Sequence, residues 1–149
     1  GMHALDTMRM ESGFLHWGHD ISPEENLYQA DLDFTISYKK KVDFVGKEAL
    51  KKIKEKKPDK KFSMFVLKNN EPGKPLILHD EPIFEDNNIV GHTTSSNFSF
   101  CYNKNIFLAY VKNDVRYNDN LTIEVEGTRH AIQLEKKPIH DPSSNLMRS

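Results

Sequence analysis

The chain has 149 residues, of which 37% are hydrophobic and 29% charged, and its formal net charge is −1. This length suits one compact domain, or a small β domain with an appendage, and the near-neutral charge argues against a protein that binds nucleic acid or a membrane surface through its overall field. Cys101 is the single cysteine, which excludes an internal disulfide and fits a reducing, cytoplasmic setting. No apolar run is long enough to span a bilayer, and residues 1–20 lack the apolar region of a secretory signal.

The first segment is predicted to be a short helix over residues 3–12 that stops at Gly13. Arg9 and Glu11 would lie about 200° apart around such a helix, so they cannot pair, and one of them can face a cleft. The helix and the aromatic loop after it carry an apolar surface that needs to be covered. Its residues are Leu5, Met8, Phe14 and Trp17.

Two more helix signals follow. Residues 22–25, Ser-Pro-Glu-Glu, combine a capping residue, a proline at the first helical position and acids in the first turn. A further helix is predicted to begin near Gly46 and to end before Pro58, with an apolar face that includes Leu50 and Ile53. Lysines crowd residues 39–61, which is read either as a solvated helix face or as a surface that attracts an acidic partner or polyanion.

The rest of the chain consists of short runs with β character separated by turn residues. Strands are predicted at residues 61–67, 81–84, 89–95, 98–102, 106–111, 121–126 and 128–134. Hairpin turns are predicted at residues 86–88 and at Gly127, a further turn at residues 69–73, and an extended tail after Pro138. The predicted fold class is therefore mostly β, a six- or seven-stranded antiparallel barrel of Greek-key or jelly-roll type, or a sandwich, with an α-helical N-terminal appendage.

The residues themselves predict no catalytic group and no metal site. There is no Gly-x-Ser-x-Gly elbow and no phosphate-cradling loop. His16 and His19 lie near Asp20, but no second cluster stands at metal-ligand spacing. Cys101 is interpreted as a packing residue of an alternating strand, and the hydroxyls of residues 93–96 as exposed-face residues.

Several ordered segments resemble the glycine-cleavage T-protein (aminomethyltransferase) family. Residues 4–13 and 17–21, ALDTMRMESG and WGHDI, resemble the family pattern ALxxLRxExG…xWGxDI. Residues 43–50, DFVGKEAL, are similar to DFIGREAL, and residues 91–111 to GxxTSxxxSxxxxKxIaLgyV. Residues 23–32 resemble TPEDNPYEAGL, with Leu27, Gln29, Asp31 and the nearby Asp33 departing from the pattern. The details look closest to the branch fused to sarcosine and dimethylglycine dehydrogenases.

This resemblance implies a division of the chain and an incomplete site. Residues 2–57 would be the end of the family's middle domain, residues 58–142 its C-terminal β-barrel, and residues 143–149 a tail. Family members move a one-carbon unit from a methylamine-type donor to tetrahydrofolate. The family's catalytic Asp and pteridine-binding Glu lie upstream of every segment matched here, so catalysis by this chain alone is left open.

The resemblance also implies a cofactor and two residues that bind it. Arg9 stands where the family has an Arg that reaches the folate, and a guanidinium suits carbonyl or carboxylate oxygens. Trp17 falls where an aromatic lines the same pocket. The implied cofactor is tetrahydrofolate, and any FAD would sit on a separate chain or a missing segment, because no dinucleotide-binding fingerprint occurs.

Three hypotheses remain at this stage. The first is a folate-side part of an aminomethyl-transferring or methylamine-oxidising enzyme, acting with an upstream T-protein-like or flavoprotein chain. The second is a non-catalytic interaction or regulatory module that docks on a partner chain, with a homo-oligomer as its simplest form. The third is a truncated gene product without independent function.

Overall fold

The computed structural model describes residues 1–69, 71–118, 120–135 and 138–149. Its helices are α1 (Met2–Glu11), α2 (Lys47–Lys56) and α3 (Asn145–Arg148), with a 3-10 turn at Asp33–Thr35. Its strands are β1 (Lys60–Leu67), β2 (Pro82–Glu85), β3 (Asn88–Ser99), β4 (Lys104–Lys112), β5 (Leu121–Val125) and β6 (Thr128–Glu135). None of the described helices is both long and apolar enough to cross a membrane.

The six strands close into a barrel in the order β1-β4-β3-β2-β5-β6, and β6 returns to β1. Every pairing is antiparallel. The consecutive strands β2, β3 and β4 form a meander, and β5 returns to lie beside β2, which is Greek-key connectivity. The predicted antiparallel barrel with an N-terminal helical appendage is confirmed.

Two hydrophobic clusters lie on opposite faces of β1 and β4, because successive side chains of a strand point to opposite sides. The inner cluster fills the barrel and includes Phe65 and Phe107, whose rings stack with centroids 5.4 Å apart. The outer cluster includes Phe62, Leu108 and, from α1, the fully buried Met10. Burial on both faces explains why β4 reads as a continuous apolar run. Each fully buried large side chain contributes about 1.5–3 kcal/mol, so this cluster fixes α1 on the barrel wall.

Gly91 marks the close approach of β3 and β4. A Cβ at this position would lie 2.2 Å from the carbonyl oxygen of Tyr110 and 2.8 Å from Cγ1 of Val111. The missing side chain therefore lets the two strands pair at this point. Further along, the register shifts between Thr93 and Ser95, which places a β-bulge beside α1.

Several sequence predictions are confirmed. The helices predicted over residues 3–12 and from Gly46 to before Pro58 are α1 and α2, and Gly46 enters α2 with a φ of 88°. The hairpins at residues 86–88 and at Gly127 join β2 to β3 and β5 to β6. The turn predicted at residues 69–73 includes Asn70, which lies outside the described residues.

The helix predicted from residues 22–25 is wrong. The local hydrogen bonds of a helix start are present, since the backbone N–H and the hydroxyl of Ser22 both donate to Glu25 Oε2, at 3.0 and 2.7 Å. The chain nevertheless continues as turns rather than as a helix. The other carboxylate oxygen of Glu25 accepts from Lys60 of β1 at 2.9 Å, so this segment is tied to the barrel wall.

The strand predicted over residues 98–102 and the extended tail are also corrected. β3 runs on to Ser99 and ends there, so Phe100 and Cys101 lie in an exposed turn, and Cys101 is not a packing residue. The tail folds back, because the backbone N–H of His140 donates to the carbonyl of Glu11 at 2.9 Å and Ile139 packs on the outer cluster.

Candidate functional site

A loop and a helix converge on one buried carboxylate, Asp20. Its Oδ2 pairs with Nη1 of Arg9 and accepts from the backbone N–H of His16 at 2.8 Å. Its Oδ1 accepts from the hydroxyl of Thr94 at 2.5 Å, and its backbone carbonyl accepts from the hydroxyl of Tyr110 at 2.9 Å. The Asp20 side chain has no exposed surface. A buried carboxylate is tolerated only when it is paired and hydrogen-bonded in this way.

A tight turn presents Asp20 to the helix. Gly18 adopts a φ of 89°, and its N–H donates to the carbonyl of Ile21 at 2.8 Å, while the N–H of Asp20 donates to the carbonyl of His16 at 2.8 Å. Glycine reaches this left-handed conformation without steric cost. The segment WGHDI thus folds back on itself and directs the Asp20 carboxylate towards α1.

The guanidinium of Arg9 is held by acceptors from three parts of the chain. Besides Asp20, its Nε donates to Asp6 at 3.2 Å, its Nη2 to Ser95 at 2.8 Å, and its Nη1 also to the carbonyl of Phe14 at 3.3 Å. The Arg9 side chain is 13% exposed. Arg9 is therefore preorganised, its charge is balanced by two carboxylates, and one edge of it still reaches the surface.

The four hydroxyl side chains of β3 at residues 93–96 are buried or half-buried and do not form a solvent-exposed face. Thr93 and Thr94 are buried, and Ser95 and Ser96 are half-buried. The bulge breaks the alternation of the strand, so the adjacent Thr94 and Ser95 both reach the α1 side, towards Asp20 and Arg9. Thr93 and Ser96 instead donate to carbonyls of Leu78 and Ile77 and fix the loop before β2. The interpretation of residues 93–96 as exposed-face residues is wrong.

These groups border an open cleft of about 600 Å³ between α1, β3 and the loop before β2. Its floor is apolar and buried, formed by Ile77, Phe98 and Ile106. Arg9 and Ser95 supply polar groups on the wall. An apolar floor with a few convergent polar groups is the usual form of a small-molecule site.

The structure brings Arg9 to this cleft but not Trp17. The Trp17 side chain is 66% exposed and is not among the residues that line the cleft. The predicted roles of Arg9 and Trp17 in binding a cofactor stay predictions.

Two buried polar side chains, from α1 and β4, are not among the cofactor-binding residues predicted from the sequence, and neither lines the cleft. Glu11, on the side of α1 away from Arg9, is buried and accepts from the hydroxyl of Ser99. Burial raises the pKa of Tyr110 well above its usual value, which keeps its hydroxyl a donor to Asp20. Both partnerships join residues nearly 90 positions apart, so no local sequence signal reveals them. Within the described residues, no group of three or more His, Cys, Asp or Glu side chains is placed to hold a metal ion.

Comparison with known proteins assigns the two parts of this arrangement. Residues 60–141 match the Glycine cleavage T-protein C-terminal barrel domain. The chain belongs to this family. Residues 1–40 match the GCVT N-terminal domain, so α1 and the WGHDI turn come from one family domain and the barrel from the other.

The relatives of this T-protein barrel are much longer proteins. The chain is 32% identical over 148 residues to 4-methylaminobutanoate oxidase (formaldehyde-forming) of Paenarthrobacter nicotinovorans, covering 99% of the chain and 18% of the relative. It is 28% identical to mitochondrial sarcosine dehydrogenase of Mus musculus, with 99% and 16% covered. It is 38% identical over 111 residues to the aminomethyltransferase of Symbiobacterium thermophilum, with 74% and 28% covered.

A solved structure shares the fold. The aminomethyltransferase T of the glycine cleavage system from Bartonella henselae superposes with a TM-score of 0.83 at 22% identity, over 95% of this chain and 39% of the other. The resemblance to the T-protein family and to the sarcosine and dimethylglycine dehydrogenase branch is thus confirmed.

Proposed function

We propose that this chain is the C-terminal, folate-side part of a tetrahydrofolate-dependent aminomethyltransferase or methylamine dehydrogenase-type protein, in one-carbon and glycine-related metabolism. The observation that carries the proposal is the Arg9 cleft, which lies between α1, matched to one family domain, and β3, matched to the other. Relatives named as aminomethyltransferases and as oxidases or dehydrogenases of methylated amines support the reaction class.

The residues present fit part of a folate site. The apolar floor suits the flat aromatic portion of a folate, and the held guanidinium suits a carbonyl or carboxylate oxygen. Tetrahydrofolate would supply the acceptor for the one-carbon unit. The role of this chain's own residues is to bind and orient it, with Arg9 held in place by Asp20, which Thr94 and Tyr110 hold in turn. The acid residues that the family uses in catalysis would come from an upstream T-protein-like or flavoprotein chain, which would also carry any FAD.

Calorimetric titration with 5-formyltetrahydrofolate tests the proposal. The chain is titrated alone and together with the protein encoded beside it in the genome, and we expect saturable binding in at least one case. Arg9→Lys keeps the positive charge but loses the planar, paired N–H donors of the guanidinium. We therefore expect binding to weaken about tenfold or more, which is the effect of losing one charge-assisted hydrogen bond. Arg116→Lys, outside the cleft, is the matched control. No heat in either titration would contradict the proposal.

A second candidate, a non-catalytic docking module, is favoured by one observation. The α1 face that turns away from both barrel and cleft carries Leu5 and Met8, which are 54% and 57% exposed. The neighbouring Phe14 and Trp17 are also more than half exposed. Surfaces of this kind mark sites that another protein covers. This surface also fits the first candidate, because the upstream chain can be what covers it. We also propose that the protein is cytoplasmic, whichever of the two candidates holds.

A further inference from the structure

Three imidazoles stand together at the mouth of the cleft, and the proposed function does not use them. The rings of His16 and His19 meet edge to face with centroids 4.5 Å apart, and the ring of His79 lies 6.1 Å from that of His19. All three side chains line the cleft. His16 and His19 come from the loop that contains the WGHDI turn, and His79 comes from the loop before β2. We call them the imidazole rim.

The imidazole rim, together with His3 of α1, supplies the histidine side chains among the described residues that line the cleft. Arg9 is the only lysine or arginine among the described residues that line the cleft, and the carboxylates of Asp6 and Asp20 balance it. From β3, the groups that face the cleft are uncharged hydroxyls and an amide. From α1, His3 also lines it. Fixed charges therefore leave the cleft without surplus positive charge.

The loop before β2 orients one member of the rim. Nδ1 of His79 lies 2.8 Å from the Asp80 carboxylate, which leaves Nε2 as the ring nitrogen available to a ligand. A carboxylate on Nδ1 fixes the tautomer and orientation of the ring. Besides Asp80, the charged residues of this loop among the described residues are Lys68, Glu71, Lys74 and Glu81, and none of these four lines the cleft.

We propose that the imidazole rim binds an acidic group of the cleft's ligand. The ligand enters with its aromatic part on the buried floor and its carboxylate between His16, His19 and His79. Protonated imidazoles donate charge-assisted hydrogen bonds to a carboxylate, and an anion between two neighbouring cationic rings offsets their mutual repulsion. Affinity for an acidic ligand therefore rises as the pH falls, while affinity for the same ligand without its acid does not. This inference rests on the proposed function, in which the acidic group is the glutamyl part of a folate.

A pair of ligands that differ only in that part tests the proposal. 5-Formyltetrahydrofolate and its α,γ-diamide, in which both glutamyl carboxylates are replaced by uncharged carboxamides, are titrated by calorimetry at pH 8 and pH 5.5, with the partner chain present if binding requires it. The glutamyl carboxylates stay largely ionised over this range. We expect the preference for the ligand with free carboxylates over its diamide to grow about tenfold at the lower pH, which corresponds to one charge-assisted hydrogen bond.

Variants assign the effect to the rim. Replacing His16, His19 and His79 by Gln should remove the pH-dependent preference for the ligand with free carboxylates over its diamide. His92→Gln, an exposed histidine of β3 outside the cleft, should retain it. A melting curve of the triple variant checks that the fold survives the substitutions, including the loss of the contact between His79 and Asp80.

The outcomes separate the rim from the proposed function. Both ligands can bind with a preference that does not change with pH, or with a pH-dependent preference that remains in the triple variant. Either result contradicts binding of the acidic group by the imidazole rim and leaves the folate proposal intact. If neither ligand binds at either pH with the partner present, both proposals are overturned.

Discussion

At the residue scale, Asp20 holds the site together. It connects α1, the WGHDI turn, β3 and β4 through Arg9, His16, Thr94 and Tyr110. Its side chain is completely buried, so its charge is compensated only by these partners. Breaking a buried pair from one side is much more costly than breaking an exposed one, because the remaining charge is left without its partner.

We therefore expect Asp20→Asn to lower the free energy of unfolding by about 3 kcal/mol, at the low end for a broken buried pair. Asn can still accept from Thr94 but cannot balance the Arg9 charge. Urea unfolding followed by circular dichroism measures the loss. Asp6→Asn is the matched control, because Asp6 bonds the same guanidinium from a side chain that is 35% exposed, and it should cost about 1 kcal/mol or less. Equal losses of unfolding free energy in the two variants would show that the buried pair of Arg9 and Asp20 stabilises the fold no more than the partly exposed pair of Arg9 and Asp6.

At the scale of elements, a turn segment is fastened to the first strand of the barrel. Glu25 is bonded by Ser22 and by Lys60, and the Nζ of Lys60 also lies 4.6 Å from the centre of the Tyr110 ring. Burial raises the pKa of Glu25, but the hydrogen bonds from Lys60 and Ser22 outweigh it, so the pKa lies below its ordinary value. The segment thus remains attached to the barrel although it forms no helix.

This shift predicts a loss of stability in acid. Because the pKa of Glu25 is lower in the folded than in the unfolded state, the carboxylate stabilises the fold above the ordinary value of 4.5, and this contribution is lost as the pH falls through the lower folded pKa. Melting temperatures measured from pH 7 to pH 3 should fall less steeply in Glu25→Gln than in the wild type. Glu124→Gln, which removes a 3.4 Å pair with Arg129 at the surface, is the control and should retain the wild-type slope. Parallel curves for Glu25→Gln and the wild type would contradict this assignment.

A departure from the family pattern is also explained at this scale. Asp31 stands where the pattern has a small residue, and it adopts a φ of 57°. Aspartate is among the residues that tolerate this left-handed conformation, so the turn is formed without glycine. The carbonyl of Gln29, two residues earlier, accepts from the N–H of Phe62 at 2.7 Å and joins this turn to β1.

At the scale of the whole molecule, the exposed apolar face of α1 is the feature that a single chain does not explain. The helix turns Met10 and Glu11 to the barrel, Arg9 and Asp6 to the cleft, and its third side, with Leu5 and Met8, to solvent. The chain covers 16–18% of the oxidase and dehydrogenase relatives and 28% of the aminomethyltransferase of Symbiobacterium thermophilum. We therefore propose that an upstream chain covers this exposed face of α1.

We expect Leu5→Lys combined with Met8→Lys to abolish association with the protein encoded beside this chain. The stability of the isolated chain should change by only about 0.5 kcal/mol, because exposed side chains contribute little to it. Light scattering after gel filtration of the mixture measures the association. Val42→Lys with Val45→Lys is the control, since these residues are 78% and 103% exposed but lie far from α1 in the sequence. Association that survives the α1 variant, or that is absent from the wild type, would contradict docking through this face.

The sequence by itself determined helices α1 and α2, the positions of most strands along the chain and the family, because each depends on local periodicity, turn residues or ordered short motifs. The order of the strands in the barrel was decided by the tertiary structure. The sequence also placed Arg9 and Glu11 on different sides of α1 through the geometry of a single helix. Only the tertiary structure decided the partners of these residues. Asp20 is 11 positions from Arg9, Ser95 is 86 positions away, and the bulge that brings Thr94 and Ser95 to the same side exists only because β3 pairs with β4. The segment that begins at Ser22 is also held by a distant residue, since Lys60, 35 positions after Glu25, binds that carboxylate. A local sequence pattern determines which backbone conformations have low free energy, whereas contacts between distant residues select among these conformations.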